Sequence, residues 1–141
     1  MSKSIFISSA DTFDVTVHYK EDGKRLKVLL EPEKKKVKEG EKEVEKIVSD
    51  SLTMTFKYPD FATSQAVMRN ATSLDANGVP SVNFLALQNS LLYSLASSWD
   101  VKDDKGKPVV LNNDNISKLR VDIAKALVEA VMAEFSDGGL V

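Results

Sequence analysis

Residues 12–30 read TFDVTVHYKEDGKRLKVLL, and this stretch decides the N-terminal fold. Phe13, Val15, Val17 and Tyr19 alternate with Asp14, Thr16 and His18, the period-two pattern of a strand with one buried face. Asp22-Gly23 follows, a hairpin-turn pair because glycine takes positive φ without strain. Leu26, Val28 and Leu30 then put apolar side chains on one face of a return strand. Working outward, Ile5-Phe6-Ile7 reads as a short strand before the hairpin. Leu52, Met54, Phe56 and Tyr58 alternate with Thr53, Thr55 and Lys57 to give another strand. Pro59 ends it, since proline cannot donate to a ladder.

Between these strands the composition changes. From Lys20 to Asp50 there are ten Lys/Arg and nine Asp/Glu, so the segment is densely charged yet nearly neutral. It reads either as an extended hairpin or, over Glu41–Asp50, as a short helix. In the first case Lys34-Lys35-Lys36-Val37-Lys38 runs out, Gly40 turns, and Glu43-Val44-Glu45-Lys46-Ile47 runs back. Either way it carries too little apolar surface for a core, and a mobile arm over about residues 31–50 is expected.

The remaining chain has helical spacing. Asp60 suits an N-cap for a helix over Phe61–Arg69. Asn77-Gly78 marks a turn, and Pro80 suits a helix start. Phe84, Leu87, Leu91, Leu95 and Trp99 recur at steps of three and four, with Leu85 and Leu92 widening the stripe. A polar turn over 103–108 and the apolar Val109-Val110-Leu111 follow. Asn113 or Asp114 then caps a last helix bearing Ile116, Leu119, Ile123, Leu127, Val131 and Phe135. Asp137-Gly138-Gly139 stops that helix, with glycine as a left-handed cap. The expected fold is α+β in one domain over residues 1–141. Antiparallel hairpins fill 1–59, and a mainly helical half fills 60–137.

Composition narrows the function classes. The 141 residues include no cysteine and one histidine, with formal net charge −2. Disulfide frameworks, thiolate metal sites and Cys nucleophiles are excluded, and no net charge draws the chain to nucleic acid or an anionic membrane. No apolar run reaches the roughly 20 residues of a membrane span, and the opening residues lack a secretion signal. A soluble intracellular protein is expected.

Candidate chemistry is sparse. His18 lies on the polar phase of its strand and reads as a solvent-facing residue without triad or metal partners. Asp100, Asp103 and Asp104 precede Gly106, but a calcium loop with glycine at position six would put Val101 at position one and Lys105 at position five. Asp75-Ala76-Asn77-Gly78 is too short for such a loop, so both clusters read as turns. Lys34, Lys35, Lys36 and Lys38 sit among glutamates without interleaved aromatics, which favours a solvated face over a phosphate-binding one. No phosphate loop or nucleophile elbow occurs, and neither an enzyme nor a cofactor is expected. Trp99, continuing the Leu91 and Leu95 phase, reads as a core anchor, with an exposed recognition aromatic as the alternative.

Residues Phe84–Phe135 resemble the tail assembly chaperones of long-tailed bacteriophages. The resemblance lies in a Leu-rich amphipathic helix running into Ser97-Ser98-Trp99-Asp100, an acidic glycine-containing turn, and a capped closing helix. The strand Thr53-Met54-Thr55-Phe56-Lys57-Tyr58-Pro59 before a helix fits the same layout. The resemblance implies a non-enzymatic protein of the host cytoplasm. Such a protein binds the tape measure protein, keeps its apolar helices soluble and helps recruit tail-tube protein. Proteins of that family are usually absent from the finished virion, and many of its members have a second, longer form made by ribosomal frameshifting. A helical client surface would then draw on Leu85, Leu92, Trp99, Leu119, Ile123, Leu127 and Val131, shared between core and partner. The lysines of the arm are a second candidate surface, and self-association is a further expectation. The competing readings are a structural tail or baseplate component retained in the particle, and a small enzyme or regulator without a recognisable motif.

Overall fold

A computed structural model describes residues 5–138. The expected α+β class holds, with antiparallel sheets in the N-terminal half and helices in the C-terminal half. The central sheet has four antiparallel strands in the order β2-β1-β5-β8. These are β1 (Thr12–Asp22), β2 (Arg25–Leu29), β5 (Asp50–Lys57) and β8 (Ala96–Trp99). The alternation in the sequence explains the pleat: Val15, Val17, Leu52, Met54 and Phe56 are buried, and the residues between them face out. The turn is shifted by one residue from the expected pair. Gly23-Lys24 form the loop, and Gly23 alone takes positive φ, at 64°, which is the II′ pattern with glycine first. Leu30 lies beyond β2 and is fully exposed. Residues 5–7 form no strand.

β1 is long enough to pair with two neighbours. It pairs with β2 through His18–Asp22 and with β5 through Thr12–Tyr19. The chain therefore crosses β1 between β2 and β5, and the charged segment is inserted at that crossing. It is a hairpin, not a helix: β3 (Lys34–Glu39) and β4 (Lys42–Ile47) form their own two-stranded sheet. Its base is tied to β1 by the Lys20–Glu33 ion pair at 3.2 Å.

The helices cover one face of the central sheet. α1 (Phe61–Ala71) is capped by Asp60, whose carboxylate accepts from the Thr63 amide at 2.7 Å. A small hairpin of β6 (Thr72–Leu74) and β7 (Pro80–Val82) follows, so Pro80 starts a strand where a helix start was expected. α2 (Phe84–Leu95) begins at Asn83, whose side chain accepts from the Ala86 amide. It ends four residues short of Trp99, because Ala96–Trp99 satisfies its backbone at the open edge of β5 as β8. The last helical stripe is split into α3 (Asn113–Ser117) and α4 (Val121–Gly138), and Asn112 is the cap of α3. Of the expected stop Asp137-Gly138-Gly139, the first two residues are still helical in α4 and Gly139 lies outside the described residues.

One core joins both halves. Leu87, Leu91 and Leu95 of α2 and Ile123, Leu127 and Val131 of α4 pack with the inner face of β1 and β5. Each such side chain contributes about 1.5–3 kcal/mol through burial. Phe135 closes the C-terminal end of α4 edge-on against Phe13, with ring centroids 5.6 Å apart.

Candidate docking groove

α2 and α4 pack against each other and share the core over the sheet. Leu85, Asn89, Leu92 and Tyr93 recur at helical spacing on α2, and Val121, Ala124, Val128 and Glu129 on α4. Between them lies a groove of about 400 Å³, lined also by Ile116, Ser117 and Leu119. Leu92, Ile116 and Val128 make a buried apolar floor. Leu85 and Val121 stand at the mouth, 67% and 79% exposed. Gln88, Lys125 and Glu129 supply a polar rim. An apolar cavity between two helices with a polar rim can take apolar side chains from one face of an amphipathic segment.

The groove separates the expected surface residues into groups. Leu85 is exposed at its mouth, while Leu92 and Leu119 line it. Leu127 and Val131 are fully buried and Ile123 nearly so; they belong to the core, and the expected sharing with a partner is corrected for these three. The reason is the helical period, which turns 123, 127 and 131 onto the sheet. Trp99 is half-buried on β8, opposite Met54, and is not part of the groove. Val121 is missed by sequence reading because it falls between the stripe positions 119 and 123. An apolar residue off the buried phase was the available signal.

A second cavity of about 420 Å³ lies between the sheet end and the start of α4, lined by Tyr19, Leu26, Ser51, Asp100, Arg120 and Ile123 among others. Three of its charged groups are engaged structurally. Asp100 accepts from the Thr53 amide at 2.8 Å, Arg120 donates to the Lys24 carbonyl at 3.2 Å, and Lys118 pairs with Asp114. Burial pushes the Tyr19 hydroxyl above its usual pKa, and the nearby Asp50 and Asp100 carboxylates add to this. Tyr19 is thus a neutral hydrogen-bond donor at neutral pH, unsuited to act as a base.

The two acidic turns share one construction. In each, an aspartate amide donates to the carbonyl four residues on, and its Oδ1 accepts from the amides two and four residues on. Asp75 does this for Asn77 and Val79, and Asp103 for Lys105 and Lys107. Gly78 and Gly106 follow at φ 76° and 77°. The carboxylates fold the loops, as expected for turn residues. Among the described residues no group of three or more His, Asp or Glu is placed to hold a metal ion.

Lys34, Lys35, Lys36 and Lys38 are exposed on β3, and none forms an ion pair among the described residues. They belong to a separate sheet, and none of them lines the groove. No protein-family model, curated protein sequence or solved structure matches this chain with significance.

Proposed function

We propose that this chain is a tail assembly chaperone of long-tailed bacteriophages. It binds an amphipathic helix of the tape measure protein, keeps that client soluble in the host cytoplasm, and helps recruit tail-tube protein. No catalysis and no cofactor enter this reading. The observation that carries it is the pairing of exposed Leu85 and Val121 over an apolar floor between α2 and α4. A holdase needs apolar surface that it lends without unfolding, and these two side chains lie outside the buried stripe. Support from the sequence is the Phe84–Phe135 resemblance.

The test is affinity capture of the chain expressed from its native gene context, with mass spectrometry of what is bound. Recovery of the tape measure protein, lost in a Leu85→Glu, Val121→Glu variant of unchanged melting temperature, is the expected result. Recovery of only tail or baseplate subunits, with this chain also present in finished particles, overturns it in favour of a structural component. That second reading is favoured by one observation of its own: the β3–β4 arm presents unpaired strand edges to neighbours.

A further inference from the structure

The arm has a regular division of its backbone groups. β3 and β4 are joined by the two-residue loop Gly40-Glu41, with Gly40 at φ 66°. The pair Glu39–Lys42 that flanks such a loop exchanges backbone hydrogen bonds. The Val48 amide donates to the Glu33 carbonyl at 2.8 Å at the other end, which fixes the same alternation. Lys35, Val37 and Glu39 therefore bond inward to β4. The amides and carbonyls of Lys34, Lys36 and Lys38 point away from β4, and those of Glu43, Glu45 and Ile47 point away from β3.

The side chains of these six residues share one face of the arm, where Lys34 lies opposite Ile47, Lys36 opposite Glu45 and Lys38 opposite Glu43. One free edge is thus a row of lysines and the other a row carrying two glutamates. Both are exposed. Pairing β3 with a second β3 places lysine against lysine, and pairing β4 with β4 in full overlap places glutamate against glutamate. Like charges directly opposite are destabilising. Lysine edges ordinarily block strand addition for this reason.

One arrangement removes the repulsion. If β4 of a second copy lies beside β3, antiparallel and in the register the hairpin already uses, Lys36 meets Glu45 of that copy and Lys38 meets its Glu43. Lys36 and Lys38 then each stand between two glutamates, and Lys34 between two Ile47 residues. On the other face, the apolar pair Val37–Val44 and the pair Glu39–Lys42 continue across the copies. Lys35 against Lys46 is the one like-charge row, and Lys46 is already ion-paired with Glu39.

We propose that the arm is a self-recognition element in which the β3 edge of one copy takes the β4 edge of the next, head to tail. This rests on the arm alone and is independent of the tail-assembly reading. Each contact leaves a free β3 edge at one end and a free β4 edge at the other, so copies propagate into a ring or a filament. The edge is short, so the contact is weak and concentration-dependent.

The chain has no cysteine, so single-cysteine variants report the register directly. Residues opposite each other in a hydrogen-bonded antiparallel pair have Cα atoms about 5.5 Å apart, the spacing disulfides favour. Full-length Lys38→Cys and Glu43→Cys chains are mixed under mild oxidation. The control is Lys38→Cys mixed with Asn77→Cys, whose thiol lies on the remote β6–β7 loop. The proposal expects the first mixed disulfide to form at least about tenfold faster than the control, through proximity. The excess should shrink at high salt. Adding Lys36→Pro to the Lys38→Cys chain removes an outward amide and no bond of the hairpin ladder, and should abolish the excess. Equal rates for the two mixtures overturn the proposal, as does an excess that survives the proline.

Discussion

The Trp99 ring N–H donates to the Val109 carbonyl at 2.7 Å. The bond clips the tip of β8 to the return of the polar loop, where the Val109 amide in turn donates to the Val101 carbonyl. Trp99 is therefore both a ladder residue, opposite Met54, and the latch of the 101–109 excursion. Trp99→Phe keeps most of the ring packing and removes the donor. The expected cost is about 1 kcal/mol, with faster hydrogen exchange at the Val109 amide than in the parent. Unchanged exchange at Val109 would show that the latch contributes nothing.

The Asp75 and Asp103 loops lead to a paired prediction. Each carboxylate accepts two backbone amides, so Asp75→Ala and Asp103→Ala should each lower stability by about 1 kcal/mol. Adding calcium should leave the melting temperature of the parent unchanged, because among the described residues neither loop gathers three carboxylates around one point. Gly106→Ala has open space around its new methyl; its expected cost of about 1–2 kcal/mol comes from the positive φ alone. Denaturant melts of the three variants measure these effects.

The parts of this fold that were legible in sequence are those governed by local period. The alternation in Phe13–Tyr19 and Leu52–Tyr58, the Asp60 cap and the Leu87–Leu91–Leu95 stripe report side-chain phase, which neighbouring residues fix. The errors sit where a distant partner decides. Ala96–Trp99 continues a helical stripe, yet the vacant edge of β5 recruits it as a strand. Pro80 suits a helix start, yet Leu74 recruits it to a two-stranded ladder. The candidate groove was half legible for the same reason. Leu85 and Leu92 were visible as apolar helix positions, but which of them faces solvent depends on how α4 lies against α2.

Asp60 gives stability a pH dependence whose direction follows from its partners. The Thr63 backbone amide, and then the Thr63 side chain, hold its carboxyl below the usual value of 3.8. A depressed folded pKa means that the ionised cap stabilises the protein above the unfolded pKa, and that this stability is lost as pH falls through the lower folded value. Asp60→Asn retains a good cap without the charge. The melting temperatures of parent and Asp60→Asn should therefore keep a constant difference from neutral pH to about pH 5, begin to approach each other as pH falls toward 3.8, and converge below it. Parallel curves through the acid range would show that the carboxylate charge has no part in holding α1.

Under the proposed function, Leu85 and Leu127 separate surface lent to a client from side chains that hold the fold. Leu127 is fully buried on the core face of α4, whereas Leu85 is 67% exposed at the groove mouth. Leu127→Ala leaves a cavity and should cost about 2–5 kcal/mol. Leu85→Ala removes little buried area and should stay within about 0.5 kcal/mol of the parent. Binding should rank the other way. Titrating an amphipathic tape-measure helix peptide into each folded variant should show weaker affinity for Leu85→Ala, and weaker still when Val121→Ala is added, because both side chains cover the same apolar floor. At a temperature where Leu127→Ala remains folded, its affinity should match the parent, since Leu127 presents no surface to the groove. If Leu127→Ala loses affinity while Leu85→Ala retains it, the peptide is not held between α2 and α4.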